Sequence, residues 1–200
     1  GLLPEAHPAA AELYAATLDW LRAAPGFRIG DDSVTRPDGA TVPLNPGKPL
    51  LTLGRLVQED LCLMEREGDE YRLTGGVLCF PASWTLAQKL GRALTGIHDP
   101  VAVYDADVAR RVARLFDAIR PEQPLWRMNY LTYDDFVLHQ PRREGEKRPQ
   151  PTDHVFIRCE RQCLLRLPVT KAVVFTIHTY VVEAGTVTPE NLAALREAVH

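Results

Sequence analysis

Residues 57–100 constrain this chain most, because they read as two strands joined by a turn and then a short helix with a histidine, His98, at its end. Glu67-Gly68-Asp69-Glu70 is the turn signal, and Tyr71-Arg72-Leu73 leads into the apolar Val77-Leu78-Cys79-Phe80, so the two runs form a hairpin. Pro81 has no amide hydrogen for a ladder and stops the second strand. Thr85 and Gln88 have the spacing of a capping box, and Leu86, Leu90, Ala93 and Leu94 recur at helical intervals, which predicts one helix from Trp84 into residues 91–96. His98 then falls just past the helix end, held by Asp99-Pro100.

Either side of this unit the pattern is mixed. Residues 9–24 read as an amphipathic helix, with Leu13, Ala16, Thr17, Trp20 and Leu21 on one stripe and Pro25-Gly26 at its end. Residues 30–49, rich in proline and glycine, read as a long surface loop or arm. Val108, Val112, Leu115, Phe116 and Ile119 repeat at i, i+4, i+7, i+8 and i+11 after the acidic Asp105 and Asp107, predicting a helix closed by Pro121. Residues 124–133, 154–165 and 172–182 are rich in β-branched and aromatic residues and read as neighbouring antiparallel strands. Between the first two, residues 141–151 (PRREGEKRPQP) carry no core-forming side chain and read as a solvated loop. Thr188-Pro189-Glu190 starts a last helix running to His200.

Two strands, helices, then three strands give an α+β class, an antiparallel sheet cupping a pocket closed by helices, with further helices at the N- and C-terminal ends. At 200 residues, 46% of them hydrophobic and 24% charged, one domain is expected. Residues 1–46 form its helix and arm, 47–182 its core and 183–200 its last helix. The formal charge of −3 and pI near 6.1 leave no electrostatic footprint for nucleic acid. Glu5, Glu12 and Asp19 interrupt the first twenty residues, and no run reaches membrane-spanning length. A cytoplasmic protein without a membrane partner is expected, its four cysteines, Cys62, Cys79, Cys159 and Cys163, standing as reduced core thiols.

His98 is one chemical candidate. An imidazole at a helix end can ligate iron if its other ring nitrogen has a partner, or can simply cap the last carbonyls of the helix. The C-terminal strands supply others: alternation puts Arg158, Glu160 and Gln162 on one face of one strand, and Thr176, His178 and Tyr180 on one face of the next. Such polar rows either face water or line a polar cavity. Three further readings stay open: a haem-binding gas or redox sensor without turnover, a non-haem metal site from His98, His178 and Glu160, and a metal-free binding module.

Gln58-Glu59-Asp60-Leu61-Cys62-Leu63, Gly76-Val77-Leu78-Cys79-Phe80-Pro81, the Trp84 to Leu90 segment, Ile97-His98-Asp99-Pro100-Val101, Arg158-Cys159-Glu160-Arg161-Gln162 and Phe175-Thr176-Ile177-His178-Thr179-Tyr180 occur in that order. Together they resemble the haem-dependent oxidative N-demethylase alpha-subunit family. The resemblance implies a PAS-like fold with a haem-sized pocket, and His98 as the proximal ligand and metal-binding residue of haem b. It implies an oxygenase acting on a small secondary amine such as dimethylamine, with dioxygen, releasing formaldehyde. No flavin or iron–sulfur motif is present in this chain, so NADPH electrons would arrive through separate flavin/iron–sulfur reductase subunits. Under this reading Glu160 holds the ammonium, and His178 and Tyr180 polarise the oxygen. Arg127, Asn129, Arg92 and Tyr104 are the candidate partners of the haem carboxylates. His178 stands where the family pattern usually has arginine, which opens the possibility of a second axial ligand.

Overall fold

The computed structural model describes residues 1–98 and 106–197. Its frame is a five-stranded antiparallel sheet in the order β5-β4-β8-β7-β6. The hairpin is β4 (Asp60–Glu67) and β5 (Glu70–Val77), turning at Gly68, whose φ of 62° suits glycine. After the helices come β6 (Leu125–Tyr133), β7 (Phe156–Arg166) and β8 (Val173–Glu183), and β8 returns to pair with β4. The three expected C-terminal strands are therefore present and adjacent, within two residues of their predicted bounds.

Period-two alternation gives the sheet two faces, and a different core lies on each. On one face Leu61 and Leu63 of β4, Leu165 of β7 and Val174 of β8 pack beneath α1 (His7–Ala23) and α2 (Pro49–Leu56). On the other, Cys62, Met64, Tyr71, Leu73, Leu164, Val173 and Phe175 pack beneath α3 (Leu86–Lys89), α4 (Leu94–His98) and α5 (Ala106–Ala118). Helix α5 is the amphipathic segment expected from residues 108–119, and its Phe116 ring lies 4.9 Å from that of Tyr71. Glu12 of α1 ties the first layer to the β7–β8 turn, accepting hydrogen bonds from the amides of Val169 (2.7 Å) and Thr170 (2.8 Å) and from the Thr170 hydroxyl (2.6 Å).

Four expectations are corrected. The single helix from Trp84 is two short ones, because Gly91 adopts φ 82° and Leu73 of β5 occupies the backbone groups between them. Thr85 and Gln88 bond to each other, hydroxyl to amide oxygen at 2.8 Å, rather than capping the backbone. The irregular arm contains a small sheet, β1 (Arg28–Ile29), β2 (Ser33–Thr35) and β3 (Thr41–Pro43), whose Val34 and Val42 enter the first core, and it is followed by α2, which the composition of the arm concealed. Trp20, placed on the buried stripe by spacing, is 66% exposed. The last helix, α6 (Pro189–Glu197), starts where expected; residues 198–200 lie outside the described part.

Candidate functional site

The β7–β8 register decides which polar rows meet. Glu160 pairs with Thr179 and Gln162 with Ile177, so Arg158, Glu160 and Gln162 share a face with Ile177 and Thr179. That is the face covered by α3, α4 and α5. Thr176, His178 and Tyr180 project from the opposite face. The expected enclosure of one pocket by a carboxylate, an imidazole and a phenol is thus corrected: Glu160 is separated by the sheet from His178 and Tyr180.

On the helix-bearing face, Leu125, Arg127, Asn129 and Leu131 of β6 lie beside Leu164, Gln162, Glu160 and Arg158 of β7. Arg127 donates its Nε–H to Gln162 Oε1 at 2.9 Å, and Gln162 in turn donates its amide to Glu160 Oε2 at 3.2 Å. Glu160 Oε1 is 3.5 Å from Nε of Arg158, a guanidinium only 2% exposed. Arg158 also donates to the carbonyls of Leu138 (2.9 Å) and Phe80 (2.5 Å) and to the Thr179 hydroxyl (3.3 Å). This part of the face carries little cover: Leu125 and Leu131 are 40% and 47% exposed, and Arg127 and Asn129 are exposed too.

Asp60 lies at the start of β4 on the same face, 1% exposed, and accepts the amides of Cys79 (2.5 Å) and Phe80 (2.8 Å) on one oxygen. Burial raises its carboxyl above the usual range, while those amides and Arg158 pull it down and Glu160 pushes it up. Cys62, two residues along, is pushed up to about 12 by burial and by Asp60, so its thiol is inert core. All four cysteines are free; Cys62 is buried, and Cys79, Cys159 and Cys163 are half-buried rather than core.

His98 ends α4, whose Leu94 and Ile97 pack into the core of the helix-bearing face. Its ring is half-buried, and Nδ1 lies 2.8 Å from the Leu94 carbonyl. A carbonyl only accepts, so Nδ1 carries the proton, and in the neutral ring the lone pair is on Nε2. The capping and ligating readings of His98 are therefore compatible: one nitrogen satisfies the helix and the bond fixes the tautomer of the other. Arg92 is exposed and is bonded to Glu144 at 3.1 and 3.3 Å, while Tyr104 and Asp99-Pro100 lie outside the described residues.

On the opposite face, His178 Nδ1 and Arg161 reach the same Glu59 oxygen, at 3.2 and 3.3 Å, and the Tyr180 ring lies 4.4 Å from that of His178. His178 is on the side of the sheet away from α4, which removes the geometric basis for a second axial ligand and for a His98–His178–Glu160 metal set. Among the described residues no group of three or more His, Cys, Asp or Glu side chains could hold a metal ion, and no helix is long and apolar enough to cross a membrane.

Sequence reasoning missed Asp60 and Lys89. Both interrupt apolar patterns, Asp60 at the head of the Leu61-Cys62-Leu63-Met64 strand and Lys89 on the Leu86/Leu90 stripe, and a charge in that position signals a buried pair. A hollow of about 700 Å³ opens elsewhere, between α2, the end of β5 and α3, with Lys48, Leu51, Val77, Trp84 and His139 among its walls and without His98.

The whole chain, residues 1–200, matches the family model described as haem-dependent oxidative N-demethylase, alpha subunit-like, and the chain belongs to that family.

Proposed function

We propose that this chain is a haem-binding oxygenase subunit that removes a methyl group oxidatively from a small secondary amine of the dimethylamine class, with electrons from a separate reductase. An antiparallel sheet with helices inserted between its hairpin and its last three strands, all packed on one face, supports the PAS-like arrangement. The observation that carries the reading is the distribution of chemistry on that face. The imidazole of His98 lies in the helix layer with Nδ1 against the Leu94 carbonyl, and the carboxylate of Glu160 belongs to the same face of the sheet.

The donor types present suit a haem. An iron would be ligated through Nε2 of His98, since Nδ1 donates to the Leu94 carbonyl and that bond orients the ring. Leu125 and Leu131 offer apolar surface in the thinly covered part of the face, and Arg127 and Asn129 offer donors to haem carboxylates. Haem, when bound, supplies the oxygen-activating redox chemistry that oxidative demethylation needs.

This chain's own residues have two tasks beyond holding the cofactor. The first is to bind an ammonium: Glu160 is a carboxylate with one oxygen fixed by Gln162 and the other near Arg158, so a cationic amine adds a third partner to an oriented anion. The second is proton management at that amine, since the substrate must lose a proton before it is oxidised, and a carboxylate that binds the ammonium, Glu160, would accept it. The overall reaction balances with one amine, one dioxygen, two electrons and two protons giving the demethylated amine, formaldehyde and water. The electrons enter from outside the chain.

The test is haem reconstitution of the parent and of His98→Ala and Glu160→Gln, followed by spectra and formaldehyde release from dimethylamine with a reductase supplied. The proposal expects a Soret band lost or shifted in His98→Ala, and in Glu160→Gln a retained band with formaldehyde release down ~100-fold. An unchanged band in His98→Ala removes the ligand; gas binding without formaldehyde from the parent leaves the sensor reading instead.

A further inference from the structure

Lys89 is 6% exposed, in a four-residue helix whose neighbouring stripe positions, Leu86 and Leu90, are half-buried against the core of this face. Removing an ammonium from water costs several kcal/mol in practice unless it is paired, and an apolar side chain would have filled the position without that cost. The ammonium has two partners. It donates to the carbonyl of Ile97 at 2.6 Å, and it is in contact with the carboxylate of Glu144.

Each partner connects Lys89 to a different part of the molecule. Ile97 immediately precedes His98, and its carbonyl is part of the peptide that joins the two residues. A buried ammonium donating to that carbonyl fixes the peptide that carries the imidazole. A cation there also complements the helix dipole. Glu144 belongs to the charged 141–151 loop, which was expected to be solvated. Most of the loop is exposed, as expected, and Glu144 ties it to the helices: it is bonded to Lys89, to Arg92 at 3.1 and 3.3 Å, and through its own amide to Gln88 Oε1 at 3.2 Å. The Lys89 hydrogen bond, with both cations, keeps the Glu144 carboxyl below the usual range.

We propose that Lys89 is the positioning residue of His98, and that Glu144 docks the 141–151 loop onto it, so that this loop acts as a strap setting the orientation of the imidazole. The inference rests on the reading of His98 as the haem ligand. The strap works without touching the ring. Lys89 fixes the backbone before the imidazole, Leu94 fixes its Nδ1, and Glu144 supplies the counter-charge that keeps the lysine buried.

The experiment uses the full chain, with haem as the probe, in the parent and in Lys89→Met, Lys89→Arg, Glu144→Gln and His98→Ala. The readouts are the rate of haem loss, the electron paramagnetic resonance of the ferric protein, and, without haem, the nitrogen-15 signals that report the tautomer of the His98 ring. Partners outside the ligand shell change metal affinity by ~10- to 100-fold when removed, so Lys89→Met should lose haem at least tenfold faster, with a broadened resonance and a mixed His98 tautomer. Glu144→Gln should move the same readouts in the same direction by a smaller factor, and Lys89→Arg should recover part of the loss. Since Glu144 is at the surface, its variant gives a folded protein even where Lys89→Met does not. Haem loss and ring signals within twofold of the parent in Glu144→Gln and any folded Lys89→Met overturn the inference alone. A spectrum unchanged in His98→Ala overturns the ligand assignment, and the inference with it.

Discussion

Replacing Arg158 with methionine removes one side chain from the centre of the helix-bearing face and leaves its partners in place. The guanidinium is 2% exposed and donates to Leu138, Phe80 and Thr179, so two half-buried carbonyls lose a donor, at about 1 kcal/mol each. Asp60 and Glu160 also lose their common cation, which adds roughly another 1–2 kcal/mol for the buried member, giving about 3 kcal/mol in all. With a urea slope near 2 kcal/mol/M the midpoint should fall by about 1.5 M at pH 7. The pH dependence separates this argument from simple loss of packing. Burial already holds the Asp60 carboxyl above its unfolded value, and Arg158 counters that, so the variant raises it further. A carboxylate whose folded pKa is raised costs stability when ionised; the cost is fully present above the folded value and disappears as pH falls below the unfolded one. The deficit of Arg158→Met should therefore shrink when unfolding is measured at pH 4.5 instead of pH 7. A deficit under about 1 kcal/mol, or one identical at both pH values, refutes the assignment of Arg158 as the counter-charge of Asp60.

Two further outcomes follow from single contacts. Burial opposes ionisation of Glu12, but hydrogen bonds from the Thr170 hydroxyl and the Thr170 and Val169 amides outweigh it and hold the carboxyl below its ordinary value. Its contribution is thus full above the unfolded carboxylate range and lost as pH falls through the folded value, so Glu12→Gln should cost about 1 kcal/mol at pH 7 and progressively less as the pH is lowered below the carboxylate range, by urea unfolding across that series. A Cβ on Gly54 of α2 would stand 2.6 Å from Val77 Cγ2 and 3.3 Å from Cys79 Sγ. Gly54→Ala should therefore lose about 1–2 kcal/mol by thermal melting despite alanine's better helix propensity, and Val77→Ala should restore it.

The argument from alternation shows where a sequence stops speaking. Each polar row is legible: residues two apart in a strand share a face, and Arg158, Glu160 and Gln162 do share one, as do Thr176, His178 and Tyr180. Whether the two rows share the same face depends on the pairing between strands. In this chain the turn from Leu167 to Ala172 closes with the Leu167 amide on the Ala172 carbonyl at 2.9 Å, which sets Glu160 opposite Thr179. A pairing displaced by one residue would bring His178 round to Glu160 and send Thr179 outward, so the relation between the candidate groups rests on turn geometry that no hydrophobic pattern encodes. The same limit explains α2 and Lys89. Helix α2 is eight residues after a proline- and glycine-rich stretch, too short for periodicity to outweigh composition. The partner of Lys89 lies 55 residues away, in a loop whose charge pattern alone reads as solvated. The hairpin, α5 and the last three strands were readable because their signals are local. The site is assembled from contacts between them, and the cheapest local clue to such contacts is a charge standing where the apolar repeat calls for leucine.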